Sequence, residues 1–194
     1  RGMTEMIIAM EELGANGCGS AAAIYLIMNS VFGGFSISLH GTEEQKQNFL
    51  PGIASGDIKV CLGLTEPDAG SNTLNTKTKA VRVTDGWLIN GSKVFITGAD
   101  RAEGMLLVTR TTPIEKAPRK THGLSLFLVD MPDPAIMVAP IAKHGLNYFH
   151  SCDVGISDLK VPEDALLPPL DGGWYSVLDT LNPERMSVAT ACIG

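Results

Sequence analysis

The stretch Leu62–Asn72, LGLTEPDAGSN, together with Lys93–Gly98, KVFITG, decides how this chain is read. The first begins as the end of a short apolar strand, Val60–Leu64. It runs into a loop where Thr65 and Ser71 bracket Pro67, Ala69 and Gly70. Small residues at such a place let backbone N–H groups approach a ligand closely, and the two hydroxyls can bond to it. In the second stretch Phe95 and Thr97 stand two positions apart on one expected strand, so they share a face. An aromatic ring beside a hydroxyl suits a flat, polar-edged ring system. Each stretch alone also fits a plainer reading: an ordinary strand exit, and a core phenylalanine beside a satisfied threonine.

Outward from these stretches the period of the sequence changes twice. Around them, over 59–167, apolar residues alternate. Ala80–Val83 and Trp87–Ile89 flank Thr84–Asp85–Gly86, a hairpin signal, and Asn90–Gly91 reads as a second turn before the strand Lys93–Thr97. Met105–Thr109, Leu124–Val129, Ile136–Ala139 and Asp153–Ser157 read as further strands, with a polar, proline-containing loop at Thr111–Thr121. Short strands with turn punctuation predict a small antiparallel barrel or sandwich.

Before this zone, over 1–58, the pattern is helical. Met3, Met6, Ile7, Met10 and Leu13 form one apolar stripe, Asn16–Gly17 supplies a stop, and Ser20 can cap the next helix. The apolar run Ala21–Leu39 is diluted by Asn29, Ser30, Gly33, Gly34, Ser36 and Ser38, which favours a buried helix over a membrane span. It is expected to end at His40–Gly41, with Gly41 left-handed. Thr42 with Gln45 makes a capping box for a short helix that Pro51–Gly52 would end. After the strands, over 168–194, helical spacing returns, with Leu178, Leu181, Met186 and Ala189 as core positions. Asn182 would cap a helix whose first position is Pro183, putting Glu184 in the first turn, where a carboxylate suits the helix dipole. The fold class is therefore α+β in the order helices, strands, helices.

A net charge of −6 argues against general affinity for nucleic acid or an anionic membrane. Cys18, Cys61, Cys152 and Cys192 are far apart, form no CxxC pair, and share no ligand spacing with His40, His122, His144 and His150. We expect reduced thiols and no metal. The chain starts at Arg1 and stops within a helical pattern, so it is expected to be part of a longer polypeptide.

Taken in order and spacing, the motifs closely resemble the acyl-CoA dehydrogenase family. The resemblance rests on Thr65-Glu66-Pro67-Asp68-Ala69-Gly70-Ser71-Asn72, on Asn90-Gly91-Ser92-Lys93 and on Phe95-Ile96-Thr97. It extends to Gly41–Phe49, Gly123–Val129, Asp158–Pro162 and Asn182–Arg185, and so spans essentially the whole chain. It implies the end of a helical domain (1–58), an FAD-binding middle β domain (59–167) and the start of a second helical domain (168–194). By that resemblance Leu62, Leu64, Thr65, Gly70, Ser71, Phe95, Ile96 and Thr97 would hold FAD. Ser71, Asn182 and Arg185 would serve the acyl-CoA substrate, and Glu184 is the candidate catalytic base. Two positions depart from the common pattern: Phe95 stands where tryptophan is frequent, and Asp68 where a small residue is frequent. The implied reaction is α,β-dehydrogenation of an acyl-CoA to a trans-2-enoyl-CoA, with electrons passed to an electron-transfer flavoprotein. The resemblance also implies a homotetramer, in the cytoplasm of a bacterium or the mitochondrial matrix of a eukaryote. An acyl-CoA oxidase, a related flavin monooxygenase and a non-catalytic truncated module stay open as alternatives.

Overall fold

The computed structural model describes residues 2–194, leaving aside the side chains of Ser20, Ala22 and Ala23. The expected cap at Ser20 thus lies outside the described residues. The fold is α+β. Helix α1 (Met3–Leu13) reaches a kink where Asn16 leaves helical geometry and Gly17 turns left-handed, at φ 86°. A continuous run follows: α2 (Gly19–Leu26), a π-helical stretch Ile27–Phe35 and α3 (Ser36–His40). Among the described residues no helix is long and apolar enough to cross a membrane. Gly33 sits where this run meets the sheet, and a Cβ there would stand 2.7 Å from that of Val60. The glycine permits the contact.

Helix α4 (Glu43–Ser55) carries the expected capping box. Gln45 N–H donates to Thr42 Oγ1 (3.2 Å) while Thr42 N–H donates to Gln45 Oε1 (3.0 Å). The Gln45 amide also donates to the Asp164 and Leu166 carbonyls, tying α4 to the sheet. Two expectations fail here. Gly41 is extended (φ −64°), and α4 passes through Pro51 and Gly52 to end at Gly56, the left-handed residue (φ 85°).

The strands are β1 (Val60–Gly63), β2 (Lys79–Val83), β3 (Gly86–Thr97), β4 (Gly104–Arg110), β5 (Leu124–Asp130), β6 (Ile136–Ile141), β7 (Ser151–Val161) and β8 (Leu166–Leu167). They form one curled, unclosed sheet in the order β6-β7-β3-β2-β4-β5-β8, with β1 beside β4. β1 and β4 pair in parallel, Val60 opposite Gly104, against the expectation of a purely antiparallel sheet. The β2–β3 hairpin turns at Thr84–Asp85 as read. Asn90–Gly91 is a register shift inside one continuous strand, not a turn. Gly91 lies so near Thr78 that a Cβ would meet its hydroxyl at 2.5 Å, so a contact from outside the local sequence converts the turn signal into a bulge.

Two apolar layers result. One fills the curl, with Trp87 edge-on to Phe127 at 5.4 Å and Ile89, Ile96, Met105, Cys152 and Val154 around them. The other joins the outer face to the helices through Leu62, Leu64, Leu106, Leu126, Ile27, Val31 and Val177. β1, β4 and β5 feed both layers, which explains their uninterrupted apolar runs. Each such fully buried side chain contributes about 1.5–3 kcal/mol.

Helix α5 (Gly173–Ile193) is one helix that contains Asn182 and Pro183, so Pro183 is interior and Glu184 is not in a first turn. Its buried face is Gly173, Ser176, Val177, Thr180, Ser187 and Thr190. Leu178 and Leu181 are half-buried, whereas Met186 and Ala189 are exposed. The buried hydroxyls bond back one turn: Ser187 Oγ to the Pro183 carbonyl (2.7 Å), Thr190 Oγ1 to that of Met186 (2.9 Å). Thr180 also bonds Ser36 of α3. Satisfied in this way, small polar residues can face a helix layer at little cost.

Candidate functional site

β1 delivers Leu62 and Leu64 into the helix-side layer and leaves Thr65 half-buried at the exit. The following loop is closed on itself by reciprocal Glu66–Ala69 backbone bonds (3.2 and 3.1 Å). It is also joined to β3. The Val94 N–H donates to the Thr65 carbonyl (2.9 Å), and the Lys93 ammonium donates to the Leu64 carbonyl (3.1 Å).

The same ammonium pairs with Glu66 at 2.8 Å, both side chains almost wholly buried. Glu66 accepts two further bonds, from the Lys77 N–H (2.7 Å) and the Thr78 N–H (3.0 Å). Burial alone would raise the Glu66 carboxyl, but Lys93 and these donors hold it below the usual carboxylate value. Burial brings the Lys93 ammonium down to about 8 against the pull of Glu66. The pair welds together two segments 27 residues apart. Sequence reading passed over both residues except as letters of a motif. The available signal was a carboxylate just past one apolar strand and a lysine inside another.

β3 slips register between Lys93 and Ile96, and Phe95 takes φ 60°, a conformation that costs an L-residue about 1–2 kcal/mol. The slip turns the Phe95 ring outward, 63% exposed, while Ile96 enters the core and Thr97 stays half-buried opposite Ser151. Gly70 and Ser71 lie exposed on the loop, and a Cβ at Gly70 would meet nothing within 4 Å. The segment Leu62–Thr65 is thus set beside the segment that carries Phe95, Ile96 and Thr97, although Leu62 and Leu64 face the helix-side layer and Ile96 the other, with Gly70 and Ser71 farther along the loop.

The α5 residues form a separate group. Arg185 donates to Asn182 Oδ1 (3.0 Å), both exposed. Glu184 has no hydrogen-bond or ion-pair partner among the described residues, and burial raises its carboxyl above the usual value although Arg185 opposes this. A half-buried carboxyl without partners can take up a proton.

The donor set fits a flavin. Among the described residues the hydroxyls of Thr65, Ser71 and Thr97 have no protein partner, and Phe95 on the strand joined to Thr65 presents an exposed aromatic ring. Sequence and structure comparisons identify the family of the chain. The family description "Acyl-CoA dehydrogenase, N-terminal domain" matches residues 1–57, and "Acyl-CoA dehydrogenase, middle domain" matches 61–159. The chain is 35% identical over 193 residues to the acyl-CoA dehydrogenase FadE12 of Mycobacterium tuberculosis, covering 100% of this chain and 48% of that protein. It is 32% identical over 189 residues to the caffeyl-CoA reductase-Etf complex subunit CarC of Acetobacterium woodii, covering 97% and 48%. Butyryl-CoA dehydrogenase from Megasphaera elsdenii superposes with a TM-score of 0.87 at 29% identity, covering 95% of this chain and 47% of that one. The chain therefore spans about half the length of the curated relatives it matches.

Proposed function

The chain belongs to the acyl-CoA dehydrogenase family, and from that premise we propose that it forms the flavin-cradling part of an enzyme that oxidises an acyl-CoA thioester to a trans-2-enoyl-CoA. The observation that carries the reading is the junction of Leu62–Thr65 with Phe95–Thr97 through the buried Glu66–Lys93 pair, beside an outward-facing phenyl ring. Bound FAD would supply the acceptor for the hydride that leaves the substrate β-carbon.

The chain's own residues bind, shield and orient. Phe95 would cover the flavin ring, and Leu62 and Leu64 would supply apolar surface that keeps water away. Thr65, Ser71 and Thr97 offer hydroxyls to polar edges, and Ser71 also faces the thioester's CoA portion. Ile96 anchors the strand that carries its two neighbours. Asn182 and Arg185, bonded to each other, shape the acyl-CoA side. Glu184 takes the α-proton, its basicity increased by burial. Electrons leave to an electron-transfer flavoprotein, a reading to which the CarC likeness lends support. The same reading has 1–58 close the helical side, 59–167 hold the cofactor, 168–194 open a second helical domain, and the intact protein assemble as a homotetramer.

The intact protein should purify yellow and bleach anaerobically on addition of acyl-CoA. A colourless protein that takes up no added FAD would refute the assignment. Rapid reoxidation by air after bleaching would turn it toward an oxidase. Glu184→Gln should lower turnover by about 10²–10⁴-fold with FAD retained, the usual range for a lost general base. Unchanged turnover removes Glu184 from that role.

A further inference from the structure

Immediately after Thr97 the chain turns a corner, and a cluster of side chains outside the motifs closes around it. The Gly98 N–H donates to the His150 carbonyl (2.8 Å), and Gly98 is left-handed (φ 70°), with no room for a Cβ beside the Met28 methyl. Two residues on, the Asp100 carboxylate reaches back across β7. Its Oδ2 accepts from His150 Nδ1 at 2.6 Å, and its Oδ1 accepts from Cys152 Sγ at 3.6 Å. His150 and Cys152 flank Ser151, the ladder partner of Thr97. Asp100 therefore brackets the residue paired with Thr97. Arg101 stands 3.7 Å away with Nε toward Asp100, and Lys143 donates to Ser151 Oγ (3.4 Å). The Asp100 side chain is 19% exposed and that of His150 37%, so a charge-assisted bond here is only partly screened.

We propose that Asp100 and His150 are a positioning pair that holds the Thr97–Gly98 corner, and with it the Thr97 hydroxyl, in register with the flavin. The inference rests on the reading of Thr97 as a flavin contact. Both act as positioning residues, through Thr97. Their bond adds a second, side-chain closure to a corner that the β3–β7 ladder alone would leave at its frayed end, since Thr97 opposite Ser151 is the last pair of that ladder.

The test uses the intact FAD-loaded protein. Asp100→Ala and His150→Ala should each weaken FAD binding by about tenfold, the weight of one charge-assisted bond. Each should also alter the visible flavin spectrum and speed amide exchange at residues 97–99. His150→Asn, which keeps a donor near the Nδ1 position, should recover most of all three. Three results would overturn the pair's role: unchanged FAD affinity and spectrum, faster exchange with an unaltered flavin, or a general loss of stability that His150→Asn does not recover. Failure of the parent reading is seen separately, because Thr97→Ala would then leave FAD affinity and spectrum at wild-type values. The pair's role toward the flavin falls with it.

Discussion

The junction of β1 with β3 and the helix α5 solve the same problem, burying polar residues, in opposite ways. At the junction, one charge of each sign is buried and both partners of the Lys93 ammonium are long-range: it reaches Glu66 and the Leu64 carbonyl from another strand. In α5 the buried polar groups are hydroxyls, and each of Ser187 and Thr190 is satisfied by a carbonyl of its own helix. The first arrangement depends on the fold being complete, and it makes the fold specific. The second, apart from the Thr180 contact with Ser36 of α3, needs only one turn of helix.

That contrast can be broken experimentally. The largest expected effect is at the junction. Lys93→Met leaves the Glu66 carboxylate buried without its counter-charge and should cost about 3–5 kcal/mol in urea unfolding. Glu66→Gln with Lys93→Met together should cost clearly less than the sum of the two single changes. Additive losses would show that the two charges do not act as a pair. Pro183→Ala comes next. If α5 is one helix, the change restores an interior N–H and should stabilise by about 2 kcal/mol; a loss of stability would restore the reading of Pro183 as a helix start.

A smaller effect is expected at Phe95. Phe95→Gly relieves the positive φ and removes a ring that buries little, so the FAD-free protein should gain about 1 kcal/mol while losing flavin affinity. Equal affinity in the variant would remove Phe95 from the site. The most gradual effect is with pH. Because the folded value of Glu66 lies below its ordinary 4.5, its contribution is complete above 4.5 and is lost as pH falls through the folded value. The melting temperature should therefore drop more steeply below pH 5 in the wild type than in Glu66→Gln.

The same contrast explains what could be read from the sequence. The capping box at Thr42 and Gln45 and the two-residue turn at Thr84–Asp85 are local devices, and both appear where they were expected. The strands were legible because their apolar runs serve two layers at once. Signals settled by a distant partner were not legible. Asn90–Gly91 looks like a turn until Thr78 is set against it, and Pro51–Gly52 looks like a helix end although the chain turns only at Gly56. In α5 the apolar periodicity points to Met186 and Ala189, whereas the buried positions hold the hydroxyl residues Ser187 and Thr190. For the site, the motif residues on β1 and β3 do meet. The pair that joins them, and the Asp100–His150 bond beyond, are visible only once the strands are side by side.

The Glu66–Lys93 pair also bears on how such a sequence can drift. A single substitution at either position passes through a protein with a lone charge in its interior. A lineage cannot readily exchange one residue and wait for the other. Positions 66 and 93 are therefore expected to change together, and a neutral version of this junction needs a change at both.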